Sequence, residues 1–211
     1  MLISVFALVL SGAQGATSAA RPVGSSLYVV QGDPRLCPSP LCGGYWAALA
    51  NHARTVCHDG ARRPRCYVAR IVDSNHSPFS KGVPSGALVR AEIESEEFEG
   101  FGALGVLVAG DVFTPAGRIS ETGRVFRLVD TGIRCVRAPC FSYRASQVNQ
   151  STRTTLSRVD LRAAGATPAD VTRAEAALAT KEGLLARGSV VPAADGGRVF
   201  RATRLYLRSK S

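Results

Sequence analysis

Six cysteines, three histidines, a run of glutamates and an arginine-bearing loop are the side chains here that could do chemistry. Hydrolysis is the first reaction to weigh. His52, His58 and His76 all lie in the first 76 residues. Neither HExxH nor GxSxG is present, and there is no GxxxxGK[ST] and no GxGxxG at a strand-to-helix junction. No catalytic residue is assigned, no cofactor is implied, and the expectation is a chain that is not an enzyme. A triad drawn from scattered residues escapes such a screen, so a hydrolase with a noncanonical site, built on a histidine beside acids, is one alternative.

The cysteines stand at 37, 42, 57, 66, 135 and 140. Structural zinc sites use hooks of two to four intervening residues on both sides. Here the first two pairs are separated by four and eight, and the third pair has no histidine after it. Disulfides account for every pair with one assumption, so the expected bridges are Cys37–Cys42, Cys57–Cys66 and Cys135–Cys140, with no metal. Each closes a short loop worth roughly 2–3 kcal/mol on loop-closure entropy. Glu92, Glu94 and Glu96 fall on one face of a strand in RAEIESEEFEG. A hard cation would need oxygen ligands at a spacing such as DxDxDG, which is missing, so these acids read as an exposed edge balancing arginines.

Arg62, Arg63 and Arg65 sit in the loop CHDGARRPRC. A disulfide-closed arginine loop is how a small inhibitor offers a rigid bait to a trypsin-like protease, because rigidity lowers the entropy cost of binding. That is a second alternative, against a hairpin whose basic tip is solvated. The other expected binding residues are those of the first CxxxxC loop and its exit: Pro38, Pro40, Gly43, Gly44 and Tyr45.

These loops need elements to hold them, and the chain matches itself in two places. DPRLCPSPLCGGYWAALAN (33–51) and DTGIRCVRAPCFSYRASQVN (130–149) share Cys, four residues, Cys, two residues, Tyr, and an Asn six residues on. GVLVAGDVF (105–113) resembles GLLARGSVV (183–191), and GRVFR occurs at both 123–127 and 197–201. Three matches in one order predict an internal duplication, with units at about 27–127 and 125–208 packed together as one domain. In each unit a β-prone stretch (27–30, 125–129) leads into the CxxxxC loop, and 45–49 or 143–148 returns. Prolines inside the loops suit a turn and would damage a central strand. Asp59-Gly60 marks a turn, and CYVARIVD returns from it. Thr167 as N-cap, Pro168 at the first position and Asp170 in the first turn predict a helix ending near Gly183. The fold class is mainly β (α+β): two antiparallel strand-rich units with one or two helices in one disulfide-stabilised domain.

Residues 2–10 are apolar but for Ser4 and are followed by small residues, the pattern of a signal peptide over residues 1–20 rather than of a bilayer span. No basic residue precedes Arg21, a departure that an upstream start would explain. Six paired cysteines belong in an oxidising compartment, so the protein is expected to be secreted or in the cell envelope, soluble after cleavage and without stable membrane insertion. Of 211 residues, 26 are basic and 16 acidic, a net +10. Residues 1–127 carry 12 basic and 10 acidic side chains, net +2; residues 128–211 carry 14 and 6, net +8. Runs of basic residues stop at Arg62-Arg63 and no aromatics interleave with them, which argues against nucleic acid. The partner expected is an envelope or extracellular protein or polymer.

RLCPSPLCGGYW followed by CHDGARRPRCYVARI resembles an uncharacterised family of exported bacterial proteins marked by R-x-C-x-x-P-x-C-G-G-Y and C-Y-V-A. Arg35, Cys37, Pro40, Cys42, Gly43, Gly44, Tyr45, Cys57, Cys66, Tyr67, Val68 and Ala69 carry the likeness. The resemblance implies bacterial origin and export, and no activity. The function expected is an exported, disulfide-bonded binding or structural protein.

Overall fold

The computed structural model describes residues 26–79 and 82–209; the expected signal peptide, residues 1–20, lies outside the described residues. The chain is mainly β, with three disulfides and, among the described residues, one α-helix. Its strands are β1 (Ser26–Gly32), β2 (Tyr45–Leu49), β3 (Thr55–Val56), β4 (Arg62–Arg63), β5 (Cys66–Val68), β6 (Arg70–Val72), β7 (Ala87–Phe98), β8 (Gly102–Ala116), β9 (Arg124–Asp130), β10 (Tyr143–Gln147), β11 (Arg153–Leu156), β12 (Arg158–Asp160), β13 (Leu184–Pro192) and β14 (Arg198–Arg208). The helix α1 spans Pro168–Leu178 between β12 and β13.

One sheet runs β11-β10-β9-β13-β14-β8-β7-β1-β2-β5, and β3 and β4 pair apart from it. The order reads the same way outward from the antiparallel β14/β8 pair, Leu205 opposite Ala116. β1 lies between β2 and β7, and β9 between β10 and β13. β2 takes β5 on its outer edge as β10 takes β11. β6 runs parallel to β8 as β12 runs parallel to β14. The register slips between Arg90 and Ala91 in the β7/β8 ladder, and between Arg187 and Gly188 in the β13/β14 ladder.

These ladders correct the detailed self-match. GVLVAGDVF lies on β8, next to β14, whereas GLLARGSVV lies on β13, between β9 and β14. By its place in the sheet β13 corresponds to β7. The two GRVFR strings are likewise neighbours across β13, on β9 and β14. Their Val-Phe pairs are buried and their arginines exposed, Phe126 and Phe200 meeting edge to face at 5.3 Å. A strand covered on both faces selects that four-residue pattern wherever it occurs, so the recurrence reflects a shared environment.

Alternation distributes side chains to the two faces. On one face, Leu27, Leu88, Val125, Leu185 and Tyr206 join Ala50 and Val148 in a central cluster. On the other, Val30, Ala47, Val89 and Leu107 fill one cluster, and Phe126, Leu128, Leu156, Phe200 and Leu205 fill another beneath α1. Thr167 Oγ1 accepts from the Asp170 amide, and Ala174 and Leu178 are buried. The helix ends at Leu178, short of the expected Gly183. Gly183 serves β13 instead: at φ +72, a Cβ there would stand 2.3 Å from the Leu128 carbonyl oxygen, a position only glycine tolerates.

Asn51 and Asn149, the asparagines of the matched segments, close the central cluster from either end. Asn51 Nδ2 donates to the carbonyls of Val125 (2.7 Å) and Val148 (3.0 Å), and its Oδ1 accepts from the Val125 amide (2.8 Å). Asn149 does the same toward the other half: Nδ2 donates to Leu27 (2.7 Å) and Ala50 (3.0 Å), and Oδ1 accepts from the Leu27 amide (2.9 Å). Both residues have positive φ, 65° and 58°, a region asparagine enters more readily than most residues.

Candidate functional site

All six cysteines are paired as the spacing predicts, with Cα–Cα distances of 5.3, 5.4 and 5.5 Å. Cys57–Cys66 is buried, whereas the other two bridges tie surface loops. The first CxxxxC loop is fastened by a stack of side chains. The Arg35 guanidinium lies 5.1 Å from the Trp46 ring and 5.0 Å from the Tyr67 ring, and Arg65 covers Trp46 at 4.7 Å. The Asp33 carboxylate, its side chain enclosed, accepts from Arg35 Nε (2.9 Å) and Trp46 Nε1 (3.3 Å). Its pKa lies below the ordinary carboxylate value chiefly because of the bond from Arg35. Tyr67 Oη donates to the Pro40 carbonyl at 2.7 Å, and burial raises its pKa.

The second CxxxxC loop has the same kind of clamp in a sparser setting. Asp130 accepts a paired contact from Arg134, at 3.0 and 2.9 Å, which lowers its pKa. Leu36 beside the first loop and Val136 inside the second are fully exposed.

The expected binding residues separate in space. Tyr45 packs against the core and Gly44 is a packing glycine, since a Cβ there would stand 2.3 Å from the Val68 carbonyl oxygen. The space beside it is taken by the chain's own backbone. Pro38 and Pro40 stay in the disulfide loop, the Pro38 carbonyl accepting from the Leu41 amide. In the 57–66 loop a hairpin forms at the Asp59-Gly60 turn, but its returning strand is β4, Val56 opposite Arg62, whereas CYVARIVD splits into β5, paired with β2, and β6, paired with β8. Arg63 is held bidentately by Asp59 at 2.9 and 2.8 Å, which brings the Asp59 pKa down to about 2. Arg65 turns to Trp46, which leaves Arg62 as the arginine of this loop with neither an ion pair nor a ring contact among the described residues, although all three are exposed.

Arg65 and Trp46 lead into a groove of about 550 Å³ on the outer slope of β1 and β2. Its near wall is Gln31, Trp46, His52 and Arg65; its far wall is Glu121, Arg124 and Arg187, brought by the link into β9 and by β13. Arg124 Nη1 reaches the Asn51 carbonyl at 3.2 Å, and Arg187 Nη1 donates to the carbonyls of Glu121 (2.9 Å) and Gly123 (3.3 Å). None of these three arginines forms an ion pair among the described residues. Glu121 supplies the one carboxylate in the lining. Three guanidiniums against one acid give a positive potential that a groove wall focuses. Trp46, Arg124 and Arg187 were missed in the sequence as site residues. The lone tryptophan was a usable signal; the far wall depends on strand order and carries none.

The histidines do not converge. His52 Nε2 lies 2.8 Å from the Asn149 carbonyl oxygen, His76 Nε2 lies 3.5 Å from Glu94, and His58 packs beside Gly105. The groove lining holds His52 and Glu121 with no Ser, Thr or Cys. Two of the glutamates of β7 face basic neighbours, Glu96 the Arg70 guanidinium and Glu94 the His76 ring. Among the described residues no group of three or more His, Cys, Asp or Glu is placed to hold a metal ion. Gly100, Gly102 and Gly105 have the GxGxxG spacing, but Gly100 lies in the turn between β7 and β8 and the other two lie in β8, with no helix to follow. No helix among the described residues is long and apolar enough to cross a membrane.

Residues 26–211 match the model of a domain of unknown function (DUF6748), so the chain belongs to that family. No curated protein and no solved structure matches the chain.

Proposed function

We propose that the chain is an exported, disulfide-stabilised binding protein that engages an acidic extracytoplasmic protein or polymer through the groove between Trp46 and Arg187. The carrying observation is the groove itself: Arg65, Arg124 and Arg187 on its walls without ion-pair partners among the described residues, against the single acid Glu121. Arginine offers several N–H donors in a fixed fork and suits carboxylate, sulfate and phosphate groups alike. The apolar segment at residues 2–10 and the pairing of every cysteine support export into an oxidising compartment. The two-fold recurrence of ladders about β14/β8, together with the matched CxxxxCxxY segments and their asparagines, supports descent by internal duplication. In that reading the copy bearing Trp46 and the extra disulfide carries the binding surface, and the other supplies the far wall.

The test is a binding panel with the oxidised protein lacking residues 1–20, using polygalacturonate, polyglutamate and a neutral glucan as probes. Arg65→Gln combined with Arg124→Gln is the variant, since both side chains are exposed. Saturable binding of an acidic probe that weakens about tenfold in the variant supports the reading. Equal binding of the neutral glucan, or acidic binding that the variant retains, sinks it.

A further inference from the structure

The basic excess of residues 128–211 has a counterpart on the surface that the groove does not use. On the outer face of β10 and β11, Arg144, Arg153, Thr154, Thr155 and Arg198 line a shallow depression of about 300 Å³ with no carboxylate among them. Arg144 stands directly opposite Thr155 in the ladder. Arg198 comes in from β14 and is held from several sides. Its Nη2 donates to Thr155 Oγ1 at 3.0 Å, its guanidinium lies 5.4 Å from the Phe141 ring, and its backbone exchanges hydrogen bonds with Ser157. None of the three arginines is in an ion pair among the described residues.

The matching place on the other half shows why the depression exists. Tyr45 opposes Val68 in one ladder and Tyr143 opposes Leu156 in the other, so Trp46, Tyr67 and Arg65 occupy the positions of Arg144, Thr155 and Arg153. In the first half, aromatic rings and the inserted Arg35 fill the space. In the second, a guanidinium and a hydroxyl replace the rings, and Arg134 turns to Asp130. One cation and one hydroxyl thus stand where rings pack in the first half, beside Arg153 in the place of Arg65 and Arg198 brought in from β14.

We infer that this depression binds the phosphate or sulfate ester group of an anionic ligand. A carboxylate is satisfied by one bidentate arginine, whereas a tetrahedral oxyanion presents three or more oxygens and accepts from several guanidiniums at once. Thr155 Oγ1 already accepts from Arg198, so its own O–H is available to donate. The site is separate from the Trp46 groove, so either can fail without the other.

The test follows backbone amide and arginine side-chain NMR signals of the oxidised protein titrated with inorganic phosphate and with sulfate. Parallel arms use a sulfated oligosaccharide and vesicles containing phosphatidylglycerol, to tell a polymer source from a lipid one. Saturable shifts centred on Thr154, Thr155 and the three arginines are expected. Arg144→Gln with Arg153→Gln should weaken binding about tenfold, and Arg65→Gln with Arg124→Gln should leave it unchanged. Should the double variant fail to fold, Thr155→Val removes the hydroxyl while keeping every charge and should still weaken binding. Absence of saturable binding in all four arms overturns the inference, as does binding that survives both the arginine and the threonine variants.

Discussion

Replacing Asn51 with alanine removes three hydrogen bonds that tie the end of β2 to β9 and β10, at 2.7, 3.0 and 2.8 Å. A protein hydrogen bond contributes roughly 1 kcal/mol net, and more when a buried partner is left unsatisfied. The three together are therefore worth about 3 kcal/mol. Asn51 also sits at φ 65°, where alanine costs about 1 kcal/mol more. Asn51→Ala should lose about 4 kcal/mol in equilibrium urea unfolding, and Asn51→Gly about 3, because glycine escapes the backbone penalty. For a chain of this size each kcal/mol shifts Tm by about 2–4 °C, so the alanine variant should melt about 8–16 °C lower. Asn149 makes the reciprocal bonds at φ 58°, and Asn149→Ala should cost the same within about 1 kcal/mol. A loss below about 1 kcal/mol at either position, against the three bonds counted, would refute the staple reasoning. So would a glycine variant less stable than the alanine variant.

Gly44→Ala should destabilise by about 2–3 kcal/mol by overpacking, since the added Cβ meets the Val68 and Ala69 carbonyl oxygens at 2.3 and 2.8 Å; a wild-type denaturation midpoint would contradict that. Replacing Cys57 and Cys66 together with serine should cost about 3 kcal/mol from loop closure alone, and replacing Cys37 and Cys42 about 2. An unchanged melting curve with free thiols found in the native protein would count against the bridges. Asp33, Asp59 and Asp130 have folded-state pKa values below their unfolded ones, Asp59 at about 2. Their contribution is complete above the unfolded aspartate value, about 3.9, and is lost as pH falls through the folded values. Tm should therefore drop between about pH 4 and pH 2, and Asp59→Asn should flatten part of that drop. A Tm constant over the window argues against the clamps.

Local pattern carried much of the architecture. The strands flanking each CxxxxC loop, the Thr167 cap and all three disulfides follow from residue type and spacing, because each depends on near neighbours. Strand order does not. GRVFR matched itself perfectly yet occupies two strands with different places in the sheet, since burial on both faces is all that four-residue pattern encodes. The asparagines were visible in the matched segments, but their partners, 74 to 122 residues away in sequence, were not. The groove was half legible. Arg65 is legible beside its disulfide, whereas Arg124 and Arg187 line the same space through the pairing of β9 with β13, which no local pattern encodes. Tyr45, one of the expected binding residues, is half-buried and packs against the core beside its fully buried register partner Val68, a placement that depends on strand pairing.

Trp46 is the chain's single tryptophan and lines the groove, so its fluorescence reports on the proposed site with no label. Titration of the oxidised protein with polygalacturonate or polyglutamate should change the emission saturably, the change should weaken as salt is added, and Arg65→Gln with Arg124→Gln should shift its midpoint about tenfold to higher probe concentration. Emission that stays constant across both titrations, or that changes equally in the variant, would contradict recognition of an acidic partner through this groove.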